Sequence, residues 1–226
     1  MSTHSPPRDI IVRKLGLSDY FQTWQAMRSF TAERGAYSRD EIWLLQHPPI
    51  YTLGLNGKNK TRPALDNIPF VHGDRGGDIT YHGPGQLVAY LLMDLRRRSL
   101  GVKALVAALE QAVIDLLNTF NLTGVRRKGA PGVYVENKKI AALGLRIRNG
   151  CSYHGLALNV SMDLTPFEYI APCGYAGLEV TQLADLGVAC DMETISAALS
   201  AQLLNNLGYN AASCKATGSI HESRSG

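Results

Sequence analysis

The chain is predicted to be an α+β protein, with a mixed or antiparallel sheet flanked by helices. Three observations predict this. Strand-like segments outnumber helical ones. The helices are separated by hairpin-like groups of strands instead of alternating with single strands, which argues against a doubly wound sheet. Two strand-like runs, Val133–Val135 and Ile140–Ile147, flank Glu136-Asn137-Lys138, a sequence that suits a hairpin turn.

The elements follow in order. Ile10–Leu15 alternates loosely and reads as a strand. Ser18 is placed to cap a helix whose Phe21, Trp24, Met27 and Phe30 fall on one face. Glu41–Gln46 is a short apolar strand stopped by Pro48 and Pro49, and Ile50–Leu53 is another. Asn56–Asn67 is polar, contains Gly57 and Pro63, and reads as a surface loop. Gln86–Leu92 is a strand. Val102–Phe120 carries Leu105, Leu109, Val113, Leu116 and Leu117 on a helical stripe, the pattern of a helix packed on a core. Ser152–Val160 is a further strand. Met192–Leu207 is a second amphipathic helix, closed by Gly208 where left-handed geometry is wanted. One domain is expected over residues 1–210. Residues 211–226 are small, polar and unpatterned, and are expected to be a disordered tail.

Composition narrows the function classes. The 226 residues are 45% hydrophobic, enough for one sizeable core. No apolar run approaches the length of a membrane span, and Met1–Asp9 has no apolar core of a secretory signal, so no membrane association is expected. Cys151, Cys173, Cys190 and Cys214 form no Cys-x-x-Cys pair, which argues against a zinc ribbon or redox motif and for a cytoplasmic protein with free thiols. No metal site is expected. The net charge is +4, with basic clusters at Arg96–Arg98 and Arg126–Lys128. No nucleic-acid motif accompanies the charge, so an acidic protein partner fits it better than nucleic acid.

The most informative stretch is Arg75-Gly-Gly-Asp-Ile-Thr-Tyr-His-Gly-Pro-Gly-Gln86. Glycines at this density mean a backbone that turns sharply or approaches something closely. They are interleaved with side chains that bind or react: Arg75, Thr80, Tyr81 and His82. Further along, Cys173 sits between Pro172 and Gly174, in a break between patterned segments. Structural cysteines usually lie inside apolar runs. Lys138 and Lys139 stand at the mouth of the strand Ile140-Ala-Ala-Leu143, and strand alternation allows only one of them to face inward. A thiol beside an ammonium is a sensible nucleophile, because a nearby positive charge favours the reactive thiolate. His82 and His154 keep a Cys/His pair open as an alternative.

Taken together, six segments resemble one family, the lipoyl(octanoyl) transferases. They are His47-Pro-Pro-Ile-Tyr-Thr-Leu-Gly54, the glycine-rich stretch, Pro131-Gly-Val-Tyr-Val135, Lys139-Ile-Ala-Ala-Leu-Gly144, His154-Gly-Leu-Ala-Leu-Asn159 and Pro172-Cys-Gly174. The resemblance runs from about Ile42 to Leu183 and implies the catalytic-domain fold of biotin and lipoate protein ligases. It implies octanoyl transfer from octanoyl-acyl carrier protein to lipoyl domains of 2-oxoacid dehydrogenase E2 subunits and the glycine cleavage H protein, with no cofactor. It places the acyl-accepting thiol at Cys173 and the catalytic lysine at Lys139. It lays the substrate along Arg75, Gly76, Gly77, Asp78, Ile79, Thr80, Tyr81 and His82, along Ala142, Leu143 and Gly144, and along His154, Gly155, Leu156 and Ala157. Asp78 departs from the family pattern, which commonly has a neutral polar residue there. The small residues among these are expected to leave room for an acyl chain, and the backbone amides of Leu143-Gly144 or Gly155-Leu156 are candidates for an oxyanion hole. The main rival is an ATP-dependent lipoate or biotin ligase of the same fold. A cysteine hydrolase and a non-catalytic binding module are the others.

Overall fold

Along the chain the elements are β1 (Ile10–Leu17), α1 (Tyr20–Ala32), β2 (Asp40–Gln46), β3 (Ile50–Leu53), β4 (Phe70–His72), β5 (Ile79–His82), β6 (Gln86–Asp94), α2 (Val102–Asn118), β7 (Gly132–Val135), β8 (Lys138–Arg148), β9 (Cys151–Asn159), α3 (Met192–Asn206) and β10 (Cys214–Thr217). This computed structural model describes residues 9–57, 63, 67–170, 179–189, 191–209 and 214–217. Cys173, Cys190, most of the loop expected within Asn56–Asn67 and most of the expected tail lie outside the described residues. Four residues of that tail, Cys214–Thr217, run as a strand beside β1.

Seven strands form one sheet in the order β10-β1-β2-β6-β9-β8-β7, and three form a smaller sheet in the order β4-β3-β5. The large sheet is mixed. β1 runs parallel to β2 and β10, and every other pairing in it is antiparallel. In the small sheet β3 is parallel to β4 and antiparallel to β5. The fold is therefore α+β, with mixed sheets flanked by helices.

The layers follow from the two faces of the strands. Leu87, Ala89, Leu91 and Met93 alternate along β6 and meet Leu156 and Leu158 of β9 in one apolar cluster with α2 and α3. Leu105, Leu109, Val113, Leu116 and Leu117 of α2 are fully buried there. Each such side chain contributes roughly 1.5–3 kcal/mol through burial. The opposite face carries Val88, Tyr90 and Leu92 and packs against Met27 of α1. β6 and β9 are thus covered on both faces, which is why β9 is buried from end to end.

Two local expectations are corrected. Ser18 does not cap α1: its hydroxyl donates to the Leu15 carbonyl, and Asp19 accepts the Gln22 amide at 2.9 Å instead. A carboxylate one residue later does the same work and also suits the positive end of the helix. The buried side of α1 is Tyr20, Thr23, Met27 and Thr31, with Trp24 and Phe30 partly buried against the same cluster as Met27; of the expected stripe only Phe21 faces outward. Phe21 is half exposed, its ring edge-on to Trp24.

The turns match their chemistry. β7 and β8 are joined through Glu136 and Asn137, both left-handed, the geometry of a two-residue hairpin turn. Gly83-Pro84-Gly85-Gln86 closes with Gln86 N–H donating to the Gly83 carbonyl, with proline in the second position and Gly85 at φ +85° in the third. That is a type II turn, which needs glycine there.

Candidate active site

The antiparallel register of β6, β9 and β8 builds the floor of a cavity. Tyr90 lies opposite Gly155, which lies opposite Gly144. One row along, Val88 lies opposite Ala157, which lies opposite Ala142. A third row pairs Gln86 with Asn159. Every residue named in these rows lines the cavity, whose empty volume is about 730 Å³ and is partly open to solvent. The roof is the glycine-rich stretch, with Arg75, Gly77, Asp78, Ile79, Thr80 and His82 facing in.

The motif ending in Gly54 holds that roof. Gly54 N–H donates to the Asp78 carbonyl, Leu55 N–H to Arg75 and Asn56 N–H to Gly77. The Arg75 guanidinium binds Thr52 through Nε to Oγ1 at 3.0 Å and Nη2 to the carbonyl at 2.6 Å, and its Nη1 donates to Gly76 O at 2.9 Å. Gly76 N–H donates to Leu145 O on β8. A Cβ on Gly144 would stand 2.9 Å from Gly76 O and 3.3 Å from Arg75 Cδ, and one on Gly155 would collide with the Ala89 carbonyl. These two glycines therefore admit neighbouring backbone, a more specific task than leaving room for an acyl chain.

Nearly all the residues predicted to bind substrate meet at this cavity. The exceptions are Gly76, whose backbone is turned to Leu145, and Tyr81. Tyr81 lies on the other side of β5 from Thr80 and His82, and its ring packs against Tyr51 and Phe167. Leu143, Leu156 and His154 are part of the wall.

Lys138 and Lys139 separate as strand alternation requires. Lys138 is exposed and pairs with Glu179 at 3.1 Å. Lys139 is 3% exposed and lines the cavity, with Nζ 3.4 Å from Pro131 O and 5.3 Å from the Tyr134 ring centre. Its backbone is fixed on both sides, the amide to Glu179 O and the carbonyl to the Thr181 amide.

The far wall is aromatic and histidine-rich. Tyr20, His82, Tyr90 and His154 line the cavity, and with His47, which does not, they form a chain of ring contacts with centres 5.2 to 6.2 Å apart. Burial pushes His47 down to about 4 and His82 to about 3, so both imidazoles are neutral at pH 7. Their partners then assign the protons. His47 Nδ1–H donates to Ser18 O at 2.6 Å, and its Nε2 accepts from the Tyr90 hydroxyl at 2.7 Å. Gln86 Nε2 is committed as a donor to Tyr81 O and Asn159 Oδ1, so its oxygen accepts from His82 Nδ1. Asn159 in turn donates to Thr181 O, which ties this network to the segment holding Lys139. For His154, burial lowers the pKa and Asp74 partly restores it. Its Nε2 donates to Asp74 Oδ1 at 3.0 Å. Burial opposes ionisation of Asp74, but hydrogen bonds from His154, Tyr153 and Trp24 outweigh it and hold the carboxyl well below the usual range.

His154 has φ +59°, a left-handed conformation unusual for a non-glycine residue in a strand. It lies opposite Leu145. That is six residues along β8 from Lys139, about 20 Å in an extended strand. His154 thus belongs to the end of the cavity away from the lysine. Of the four cysteines, only Cys151 has its side chain among the described residues; it is buried and burial pushes its thiol up, the opposite of an activated nucleophile.

Sequence reasoning did not single out Tyr20, His47, Asp74, Gln86, Val88, Tyr90 or Asn159. One signal was available for three of them: Gln86, Val88 and Tyr90 alternate on β6 and so share a face.

Residues 19–204 match the sequence model of the family described as Lipoyl protein ligase A/B catalytic domain. The chain belongs to the lipoyl protein ligase A/B catalytic domain family. Among curated members it is 58% identical over 195 residues to an octanoyltransferase of Thiobacillus denitrificans, covering 86% of this chain and 89% of the relative. It is 58% identical over 199 residues to one of Azoarcus sp., covering 88% of each. Solved structures of the same fold include a bipartite lipoate protein ligase of Thermoplasma acidophilum, at TM-score 0.69 and 14% identity over 97% of this chain and 90% of that one. Another is the biotin protein ligase of Aquifex aeolicus solved with biotin and ATP, at TM-score 0.55 and 14% identity over 89% of this chain and 71% of that one. At those identities the ligases share the fold, while the octanoyltransferases share more than half of the aligned residues. Among the described residues, no helix is long and apolar enough to cross a membrane.

Proposed function

We propose that this family member is an acyltransferase that moves an octanoyl group from octanoyl-acyl carrier protein to the lysine of a lipoyl domain. The acceptors are lipoyl domains of 2-oxoacid dehydrogenase E2 subunits and the glycine cleavage H protein, in the cytoplasm. The observation that carries the reading is Lys139, a buried lysine in the wall of a largely apolar cavity, in a chain 58% identical to named octanoyltransferases.

In the proposed mechanism the Cys173 thiolate, favoured by the Lys139 ammonium, attacks the thioester carbonyl and expels the carrier thiol. The departing carrier thiolate takes the Lys139 proton; in the second half-reaction the neutral Lys139 amine accepts the proton of the incoming lysine, whose nitrogen forms the amide bond as the thioester breaks and releases the Cys173 thiolate. The acyl chain lies over the Ala142, Ala157, Gly144 and Gly155 floor, against the wall of neutral rings. Gly155 and Leu156 are poor oxyanion donors, because β9 is paired on both sides and its amides serve the ladders. β8 loses β7 as a partner after Ala142, and Leu145 O accepts from Gly76 on that open side. Strand alternation turns the Leu143 amide to the β7 side, where the Gly132–Ala142 pairing commits it to Pro131 O, so we assign no oxyanion donor from these two pairs.

Intact mass after incubation with octanoyl carrier protein, without ATP, tests this. One added octanoyl group, released by hydroxylamine and lost in Cys173→Ala, supports the thioester. No adduct, with transfer only when ATP and free acid are supplied, makes the chain a ligase.

A further inference from the structure

Glu110 lies on α2 and is buried, although α2 otherwise presents apolar side chains to the core. Its two oxygens have different tasks. Oε2 pairs with Arg126 Nε at 3.1 Å, and Oε1 accepts the Gly132 amide at 3.0 Å. Arg126 is itself tied back to α2, through Nη2 to Ala107 O and to Gln111 Oε1.

The Gly132 amide and the Pro131 carbonyl are the two ends of one peptide unit. In a trans peptide they point in opposite directions. On the other side of this unit, Pro131 O accepts from Lys139 Nζ at 3.4 Å. Glu110 therefore helps to fix the plane of a peptide whose oxygen meets the lysine. A charge-assisted bond to the N–H also polarises the carbonyl at the other end, making it a better acceptor for an ammonium. Gly132 completes the arrangement. Its φ of +142° favours glycine, and a Cβ there would stand 2.6 Å from Ala141 O and 3.2 Å from Lys139 Cε.

From this geometry we infer that Glu110 is a positioning residue for Lys139, acting through the Pro131–Gly132 peptide from the helix face of the sheet. The inference rests on the reading of Lys139 as the proton-transferring residue. It assigns a functional task to a carboxylate that touches no substrate, and it explains why a charged side chain sits on an otherwise apolar helix face.

The test is the pH profile of acylation and of transfer, with an octanoyl thioester donor, in Glu110→Ala, Glu110→Gln and Lys139→Ala. Glu110→Ala is expected to slow transfer about ten- to a hundredfold and to move the pH midpoint by about half a unit or more. Glu110→Gln keeps an acceptor oxygen for Gly132 but is uncharged, so it should restore part of the rate and shift the midpoint less. An unchanged midpoint in Glu110→Gln, or an equal loss at every pH in Glu110→Ala, overturns the inference; if Glu110→Ala does not fold, the glutamine variant decides. Lys139→Ala separates the two claims. If it leaves the profile intact, the reading of Lys139 fails and the inference falls with it; if it abolishes the limb while the Glu110 variants match the unmodified chain, only the inference fails.

Discussion

Lys138 and Lys139 are neighbours in the chain and occupy opposite sides of β8. The first reaches solvent and Glu179; the second is buried in the cavity wall over Pro131 and Tyr134. Chemically identical side chains thus have different surroundings because of a strand period of two.

Lys139→Ala should lower both the acylation and the transfer rate, by about 10²- to 10⁴-fold. Lys138→Ala should leave both within a factor of about two, because an exposed ion pair contributes little. Single-turnover kinetics followed by intact mass separates the half-reactions. Equal losses in the two variants would contradict the assignment.

The buried histidines predict an acid-sensitive fold. His47 and His82 titrate near 6.5 when unfolded, and in the fold at about 4 and about 3. Between those values the unfolded chain binds more protons than the folded one, so stability falls as pH drops from about 6.5 towards 4. Urea midpoints at pH 7.5 and pH 5 should show the loss, and His47→Gln should make it smaller. A midpoint independent of pH over that range would mean the imidazoles do not stay neutral.

Gly144→Ala presses a methyl against Gly76 O and the Arg75 side chain. Overpacking of this kind costs about 1–3 kcal/mol. Because the strained neighbour is the cavity roof, acyl-donor KM should rise along with the loss in thermal midpoint. A fall in thermal stability with unchanged KM would show that the roof tolerates the shift.

Tyr20 is 2% exposed, and its hydroxyl has no hydrogen-bond partner among the described residues. An unsatisfied buried hydroxyl costs about 1–3 kcal/mol. Tyr20→Phe should therefore match or exceed the unmodified chain in thermal midpoint. A clear drop would mean that a partner, such as bound water, already satisfies the group.

Sequence reasoning reached the parts of this molecule that depend on local pattern. The α2 stripe, the β7–β8 hairpin and the inward-facing lysine follow from periodicity and turn chemistry, with family resemblance selecting Lys139. What it missed depends on distant pairing. Tyr20, His47, Asp74 and Tyr90 come from different segments and become one network, which Tyr20 and Tyr90 present to the cavity, only when α1 and the β3–β5 sheet close over β6 and β9. β4 is three residues long, too short for a pattern to show. β10 consists of small and polar residues whose strand character comes from the edge of β1 and not from their own propensity. Tyr81 was misplaced for the opposite reason: it belongs to the informative stretch, but strand parity sends it to a different cluster.

The rows Gln86–Asn159, Val88–Ala157–Ala142 and Tyr90–Gly155–Gly144 also act as a ruler. Successive rows are two residues apart, so the three mark out about 14 Å from the lysine end towards His154. Any chain lying along them is measured in steps of one row. Extra bulk in the middle row, at Ala142 or Ala157, would block the cavity at half depth, whereas a methyl on Gly144 or Gly155 in the last row would meet Gly76 O or the Ala89 carbonyl before it met the chain. Preference for long or short acyl groups can thus change through single small substitutions on one face of β8 and β9, with no change to the residues proposed to carry the chemistry.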